Sequence, residues 1–505
     1  MKAKLTGIFL CIGAFILSMV LLMNLIENPM RKTPDFSPSS PSSEQGTGAP
    51  DEKGGEDVSS GVTSIEGVMS VAKETQEYFS ALASDAVREV PTADAMCAKW
   101  HNAAVFLRSR EADEAGALYY EALENAVKTY TGSLPATAAE FSEKAGAALN
   151  TLKAAAITEE EPTGRYPAVS TSENGAFALS LARLWRAAQK SADSVTVSFG
   201  GEVAMGDFLG SSDYQNRYAV ENAPNPLAAL APVFSTDDLS LVTLDSPLTT
   251  YTVPEVAATE AFRGSAVDVY AKHLKNAGVD VVSLASCHIS DFGETGYNDT
   301  KTALEKAGLI VAEDGAITYV TLPAGKTAVI THNLVGKGGA RFTEIPKAQI
   351  AEARQNGATF VVVYFHLGAE EITAAMADTL RDAAANGANL VLSSHTDSIR
   401  GILLSEENKT PLLFSPGRLS YASSTSASRD AYLYSQKFTL SAEAGVTAGE
   451  RMVFALNNHC GDGNAPTLYL DSENTGRIAS TLSAALPTFE GRPAAGDLSV
   501  ISISK

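Results

Sequence analysis

The sequence predicts an α/β domain that follows a transmembrane helix, a disordered linker and an all-helical module. Three observations support this order. Residues 5–26 carry no charge, residues 62–191 have helical hydrophobic periodicity, and continuous apolar strands alternate with amphipathic helices from residue 192 onward. A chain of 505 residues is long enough for two or three such units.

The N-terminal segment, residues 1–27, is predicted to be a cytoplasmic N-terminus and a signal anchor. Residues 5–26 read LTGIFLCIGAFILSMVLLMNLI, which is long enough to span a hydrocarbon core of about 30 Å. Large residues follow where cleavage requires small ones, so we expect an uncleaved anchor, with a cleaved signal peptide as the alternative. Lys2 and Lys4 favour a cytoplasmic N-terminus. We therefore expect a single-pass protein of the bacterial cell membrane with its bulk outside the cytoplasm.

The next two segments differ sharply in composition. Residues 28–61 are rich in Pro, Ser, Gly and acids, and bury too little apolar surface to order, so they are predicted to be a disordered linker. Residues 62–191 have apolar residues at i, i+3, i+4 and i+7, which predicts a helical module of four or five helices. Its aromatic residues are expected to form its core: Tyr78, Trp100, Phe106, Tyr119, Tyr120 and Trp185.

Residues 192–443 are predicted to form the α/β domain. Continuous apolar strands between amphipathic helices are typical of a largely parallel sheet that is covered on both faces. Three of these helices run into the next strand through a glycine, at Gly278, Gly308 and Gly387, which is a C-cap signal. Residues 444–505 mix short β-like runs with turns, and either extend the sheet or form a small β-containing extension.

Charge and cysteine content exclude some classes of protein. The net charge of -21 repels phosphate backbones, so no nucleic-acid partner is expected. Four cysteines are too few for a disulfide scaffold.

Several apolar strands end in an acid or a histidine. Loops at the carboxyl ends of parallel strands meet at one edge of a sheet, so we expect these side chains to converge there. Carboxylates and imidazoles bind Mn, Zn or Fe, and two such ions about 3.5–4 Å apart can clamp a phosphate. The candidate metal ligands are Glu202, Asp245, His288, His366, His395 and Asp397, and the candidate catalytic residues are His288, His366 and Asp291.

Each of these residues also has an ordinary structural interpretation. An acid after a strand commonly caps the next helix, which applies most to Asp291. A histidine at a strand end commonly bonds to the backbone, and His332 is a further histidine of this kind. Cys287 beside His288 offers a thiolate pair as a nucleophilic alternative.

An ordered set of motifs runs through residues 201–418. In chain order they are GEVAM at 201–205, TLDSPLT at 243–249, FRG at 262–264, LASCHISDFG at 284–293, HLGAE at 366–370, SSHTD at 393–397 and SPGR at 415–418. Their order and spacing resemble those of the poly-gamma-glutamate capsule synthesis (CapA) family, a branch of the calcineurin-like metallophosphoesterase fold. The resemblance implies a metallophosphoesterase-like layered α/β domain with one or two divalent metal ions.

The sequence departs from the family pattern at several ligand positions. The family's Asp, Glu and Asn are Glu202, Asp245 and Cys287 here. One family histidine is Ser394, another is Asp397 and a late Asn is Arg418. A change in carboxylate length moves its oxygen by about 1.5 Å, whereas a site must hold its geometry to about 0.5 Å. The fixed charge of Arg418 opposes cation binding and suits an anionic ligand.

Two functions follow from the resemblance and its departures. The first is a membrane-anchored protein of capsule or envelope polymer synthesis or export that acts as a metal-dependent hydrolase or phosphoesterase. The second is a catalytically degenerate relative, without metal, that assembles the envelope or binds polymer. The implied partners are the cell membrane, an anionic envelope polymer and other capsule synthesis proteins.

Overall fold

A computed structural model describes most of the chain after residue 61. The described residues are 62–84, 91–135, 137–155, 164–169, 176–187, 193–208, 225–252, 262–335, 342–367, 372–394, 398–405, 407, 409–420, 430–443, 445–458, 466–469, 471–483, 492–493 and 498–501. The predicted anchor and linker lie outside these residues. Within the described part, no helix has the length and apolar character that a membrane span requires.

Five helices form the helical module in its described ranges. They are α1 Ile65–Ser84, α2 Ala93–Arg110, α3 Glu114–Gly132, α4 Ala138–Ala155 and α5 Ala176–Ala187. Side-chain caps define two helix starts, because Thr92 accepts a hydrogen bond from Ala95 N at 3.2 Å and Asp113 accepts one from Gly116 N at 2.9 Å.

Five of the six aromatic residues predicted for the core of the module are buried there, and Phe106 packs against it partly buried. Trp100 is fully buried and stacks on Phe79 with ring centroids 5.8 Å apart, and Trp185 stacks on Phe141 at 4.5 Å. The same hydrophobic cluster continues into the α/β domain, where it includes Leu230 and Phe234. The module therefore packs directly on the domain that follows it.

The α/β domain and the residues after it contain eighteen strands in the described part. The first half comprises β1 Ser194–Val203, β2 Asp207–Phe208, a 3-10 helix Ala228–Leu230, α6 Ala231–Phe234, β3 Leu239–Leu244, β4 Phe262–Arg263, α7 Val267–Asn276, β5 Val281–Ser283, α8 Gly293–Lys306, β6 Ile310–Ala312, β7 Ile317–Leu322 and β8 Gly325–Asn333. The second half comprises α9 Glu344–Gln355, β9 Phe360–His366, α10 Ala374–Ala385, β10 Leu390–Ser394, β11 Arg400–Leu404, β12 Pro411–Ser415, β13 Arg418–Ser420, β14 Asp430–Ser441, β15 Gly445–Asn457, β16 Thr467–Leu468, α11 Ser472–Ser483, β17 Arg492–Pro493 and β18 Leu498–Val500.

Sixteen of these strands form two stacked sheets, and β2 and β4 form a separate two-stranded sheet, so the expectation of a single sheet was wrong. The first sheet has the order β16-β15-β14-β1-β3-β5-β6, with β13 also paired to β1 and β18 to β15. The second has the order β17-β11-β12-β10-β9-β8-β7. Strands β1, β3, β5 and β6 are parallel to one another, as are β8, β9, β10 and β12. Residues after 444 extend both sheets through β15, β16, β17 and β18.

Both faces of the central strands β1, β3, β9, β10 and β12 are buried, which explains why these strands are rich in apolar residues. In β3, Leu241 faces the second sheet while Val242 faces the helices on the outside. Aromatic rings meet between the sheets, with Phe199 and Tyr364 at 5.7 Å. The predicted layered α/β arrangement is confirmed, as four layers with helices outside two sheets.

Glycine ends three of the outer helices as predicted. Gly278, Gly308 and Gly387 have φ angles of 89°, 80° and 103°, which is the left-handed conformation that glycine adopts without a Cβ clash. Each helix therefore stops within one or two residues and the chain re-enters a sheet.

Candidate metal centre

The strand-end residues converge at one rim between the two sheets. Strands β1, β3 and β5 of the first sheet end beside β9 and β10 of the second. The predicted ligands therefore come from two facing sheets, and the crevice between the sheets replaces the edge of one sheet as the place where they meet.

His366 is the last residue of β9 and is fully buried. The period of two in a strand places its side chain on the same face as Tyr364, toward the first sheet. Its Nδ1 lies 3.1 Å from Oε1 of Glu202, and its Nε2 accepts the backbone N–H of Cys287 at 3.2 Å. Because a carboxylate only accepts hydrogen bonds, this arrangement places the imidazole proton on Nδ1.

Glu202 reaches across from the end of β1. The backbone bends at Gly201, where φ is 83° and where the register between β1 and β3 shifts. The Glu202 side chain is 2 % exposed, and its Oε1 also accepts a hydrogen bond from Ser394 Oγ at 2.8 Å. Glu202 therefore contacts two residues of the second sheet, His366 and Ser394.

Asp245 directly follows β3 and is almost fully buried. Its backbone N–H donates to Val203 O at 2.8 Å, which fixes it beside the end of β1. Its Oδ1 lies 3.8 Å from Cys287 Sγ and accepts the backbone N–H of His288 at 3.4 Å. The carboxylate thus faces the turn that follows β5.

Cys287 lies in that turn and completes a group of three possible metal ligands. One donor atom each from Asp245, Cys287 and His366 lies within 4.8 Å of the others, the only such group of three or more among the described residues. Burial and then the charges of Asp245 and the other nearby carboxylates raise the pKa of the Cys287 thiol. A raised pKa disfavours the thiolate in the absence of a metal ion, which argues against Cys287 as a free nucleophile.

Cys287 was missed as a ligand in the sequence analysis, although a signal for it existed. It occupies the position of the family's ligand Asn within LASCHISDFG. Three neutral side chains that hold the site were also not predicted to do so: Asn333, Tyr364 and Ser394. Nothing in the local pattern marks the first two, whereas Ser394 occupies the position of a family histidine. The Asn333 amide donates to Ser286 O at 2.8 Å and so connects β8 to the turn that carries Cys287.

His288 and Asp291 form a pair at the open side of the site. The His288 Nδ1 lies 2.9 Å from Asp291 Oδ2, and both side chains are partly exposed. The hydrogen bond to Asp291 raises the pKa of His288, and Asp245 adds to the rise. The imidazole of His288 is not one of the three clustered donors, so it is better placed to move a proton than to bind the same ion.

The remaining predicted residues lie in different places. Arg418 begins β13 and is in parallel register with Glu202, so its backbone borders the site. His395 and Asp397 lie outside the described residues. His332 is not part of the site, because its Nε2 bonds to Gln349 at 2.7 Å.

The clustered donors fit a divalent transition metal ion. A carboxylate, a thiol that ionises on metal binding and an imidazole are the ligands that Zn²⁺ and Fe²⁺ take in proteins. A carboxylate that accepts from the other ring nitrogen of a ligating histidine is a common supporting contact in such sites, and Glu202 makes it. The metal-binding role of all these residues stays a prediction.

Comparison with solved structures gives weak similarities. The NAD nucleotidase (NadN) of Haemophilus influenzae is 10% identical, with a TM-score of 0.33 over 61% of this chain and 57% of that chain. This chain thus spans little more than half the length of that enzyme. The calcineurin-like phosphoesterase YfkN from Bacillus subtilis is 11% identical, with a TM-score of 0.32 over 52% of this chain and 90% of that chain. Both TM-scores are below 0.5 and define neither fold nor function here.

Comparison by sequence gives a family. No curated protein matches the chain at a significant level. The family model of the bacterial capsule synthesis protein PGA_cap matches residues 196–419, a range that contains every motif from GEVAM to SPGR. Residues 196–419, a little under half of the chain, therefore match the bacterial capsule synthesis protein family that the motifs resemble.

Proposed function

We propose that this chain acts in the synthesis or export of an anionic envelope polymer of the poly-gamma-glutamate type. Its α/β domain would be a metal-dependent hydrolase that cleaves such a polymer or a phosphoester. The family match supports the capsule-type role. The proposal of hydrolase activity rests on one observation, which is that Asp245, Cys287 and His366 converge from three strand ends.

A bound divalent ion would polarise the scissile group and lower the pKa of a water molecule. The residues of this chain would supply the rest of the chemistry. His288 lies at the open side, and its hydrogen bond to Asp291 raises its pKa, which suits it to donate a proton to a leaving group. Arg418 borders the same crevice and supplies a positive charge for an anionic substrate.

We also propose that residues 5–26 anchor the chain in the cell membrane with its bulk outside the cytoplasm. The uncharged length of this segment and the lysines before it support this placement. The Pro-, Ser- and Gly-rich residues 28–61 would then connect the anchor to the helical module. In that position the crevice would meet polymer at the outer surface of the membrane.

A non-catalytic polymer-binding protein is the second candidate. The contacts of Glu202 favour it, because a carboxylate that accepts from His366 and Ser394 is less available to a second metal ion. A crevice with Arg418 at its border would still suit an anionic polymer. Assembly with other capsule synthesis proteins would then be its role.

Metal analysis and hydrolysis assays on the purified full-length chain separate the two functions. If the chain is a hydrolase, we expect it to bind a transition metal and to turn over a generic phosphodiester or poly-gamma-glutamate. His288→Ala should lose this turnover. His101→Ala, in the helical module, is the matched control and should keep wild-type turnover. A metal-free, inactive protein that still binds anionic polymer would refute the hydrolase function and support the polymer-binding function.

A further inference from the structure

We propose that the site takes a single thiophilic divalent ion, Zn²⁺ or Fe²⁺, through Asp245, the thiolate of Cys287 and the imidazole of His366. Glu202 would orient His366 and would not itself bind the ion. The inference rests on the proposed function, since it names the ion and the ligands for the same site. Of the one or two ions that the resemblance implies, it retains one.

The spacing of Asp245 and Cys287 fits one tetrahedral ion. With metal–sulfur and metal–oxygen bonds of about 2.3 and 2.1 Å, a tetrahedral angle places sulfur and oxygen about 3.6 Å apart. The observed separation of Cys287 Sγ and Asp245 Oδ1 is 3.8 Å. The two side chains therefore need little movement to share an ion.

The contacts of Glu202 assign it a supporting role. Its Oε1 lies against Nδ1 of His366 and accepts from the hydroxyl of Ser394. A proton held on Nδ1 leaves the lone pair on Nε2, which accepts the Cys287 backbone N–H in this structure and would exchange that weak 3.2 Å contact for the ion. A histidine held in this way by a carboxylate is oriented for metal binding through its other nitrogen.

The extra length of Glu202 matters for the number of ions. The family has the shorter Asp at this position, whereas the Glu202 side chain reaches the second sheet. Because this carboxylate is engaged by His366 and Ser394, it contributes less to a second ion. The donor types also determine the choice of metal, since thiolate favours Zn²⁺ and Fe²⁺ over Mn²⁺ or Mg²⁺.

Titration of the metal-depleted full-length protein with Co²⁺ tests the ligand set. Cobalt bound to a thiolate gives a near-ultraviolet charge-transfer band, and we expect this band to saturate at one Co²⁺ per chain. Cys287→Ala should abolish the band, whereas Cys97→Ala, which changes a buried cysteine of the helical module, should retain it. Cys287→Asn is the control for a folding defect. It should bind Co²⁺ without the band, and its circular dichroism spectrum should be unchanged.

Glu202→Gln tests the supporting role. It should still bind one Co²⁺ with the charge-transfer band, at an affinity about 10–100-fold lower, which is typical for loss of a residue that orients a ligand. Two Co²⁺ ions per chain, or a band that survives Cys287→Ala, would overturn the inference.

The same titration separates this inference from the proposed function. If the band depends on Cys287 but the protein has no hydrolytic activity, the proposed ligands are supported and the proposed hydrolase function is refuted. If hydrolysis depends on metal but no thiolate band is seen, the proposed ligands are refuted and the proposed hydrolase function is retained.

Discussion

Gly201 is the backbone position on which the reach of Glu202 depends, and Gly201→Ala should be strongly destabilising. Its φ of 83° costs a residue with a Cβ about 1–2 kcal/mol. The new Cβ would also lie 2.6 Å from Pro416 Cγ and 2.7 Å from Gly417 O. A proline ring and a backbone carbonyl cannot yield easily, so overpacking adds about 1–3 kcal/mol. The expected loss in the free energy of unfolding is about 2–5 kcal/mol.

Gly315→Ala is the matched control for this prediction. Gly315 has a similar φ of 74°, but a Cβ there would have no atom within 4 Å. Only the conformational cost of about 1–2 kcal/mol should remain. Urea unfolding followed by circular dichroism gives both values. If Gly201→Ala is no more destabilising than Gly315→Ala, the proposed contact with the 416–417 turn does not restrain β1.

Three further predictions follow from the site and the core. Asp291→Asn should lower the pKa of His288, because the largest cause of its rise is lost; proton NMR titration measures this, and an unchanged midpoint would contradict the pairing. Ser394→Ala removes a buried donor to Glu202 and should cost about 1–3 kcal/mol of unfolding free energy in urea denaturation, whereas a neutral effect would show that another donor takes its place. Phe141→Ala should lower the free energy of unfolding by about 3–5 kcal/mol. Tryptophan fluorescence measures this loss, because both tryptophans lie in the helical module. A loss below about 1 kcal/mol would mean that the surrounding residues fill the space and leave no cavity.

The layered fold could be predicted from the sequence because its periodicity is strong. Long apolar strands separated by glycine-capped helices specify α/β layers whatever the pairing of the strands. The pairing could not be predicted. Both sheets are built from buried parallel strands, so β3 and β9 look alike in sequence although they lie in different sheets.

The candidate site could be predicted in part. Position at a strand end identified Glu202, Asp245 and His366, and the structure brings these three side chains together. His332, also at a strand end, is not brought to the site, because the alternation of side chains in a strand turns it to the face opposite His366. His273 of α7 is also buried, which its position in an amphipathic helix does not indicate. Such burial depends on tertiary packing, which local pattern does not determine.

The continuous hydrophobic cluster between the helical module and the first sheet has a practical consequence. A shortened protein that began at β1 would leave the outer face of α6 and the 3-10 helix, including Leu230 and Phe234, in contact with water. Such a fragment would tend to aggregate, because an apolar area of this kind needs a cover. Recombinant versions intended for crystallisation or screening should therefore start near residue 62 and keep the five helices.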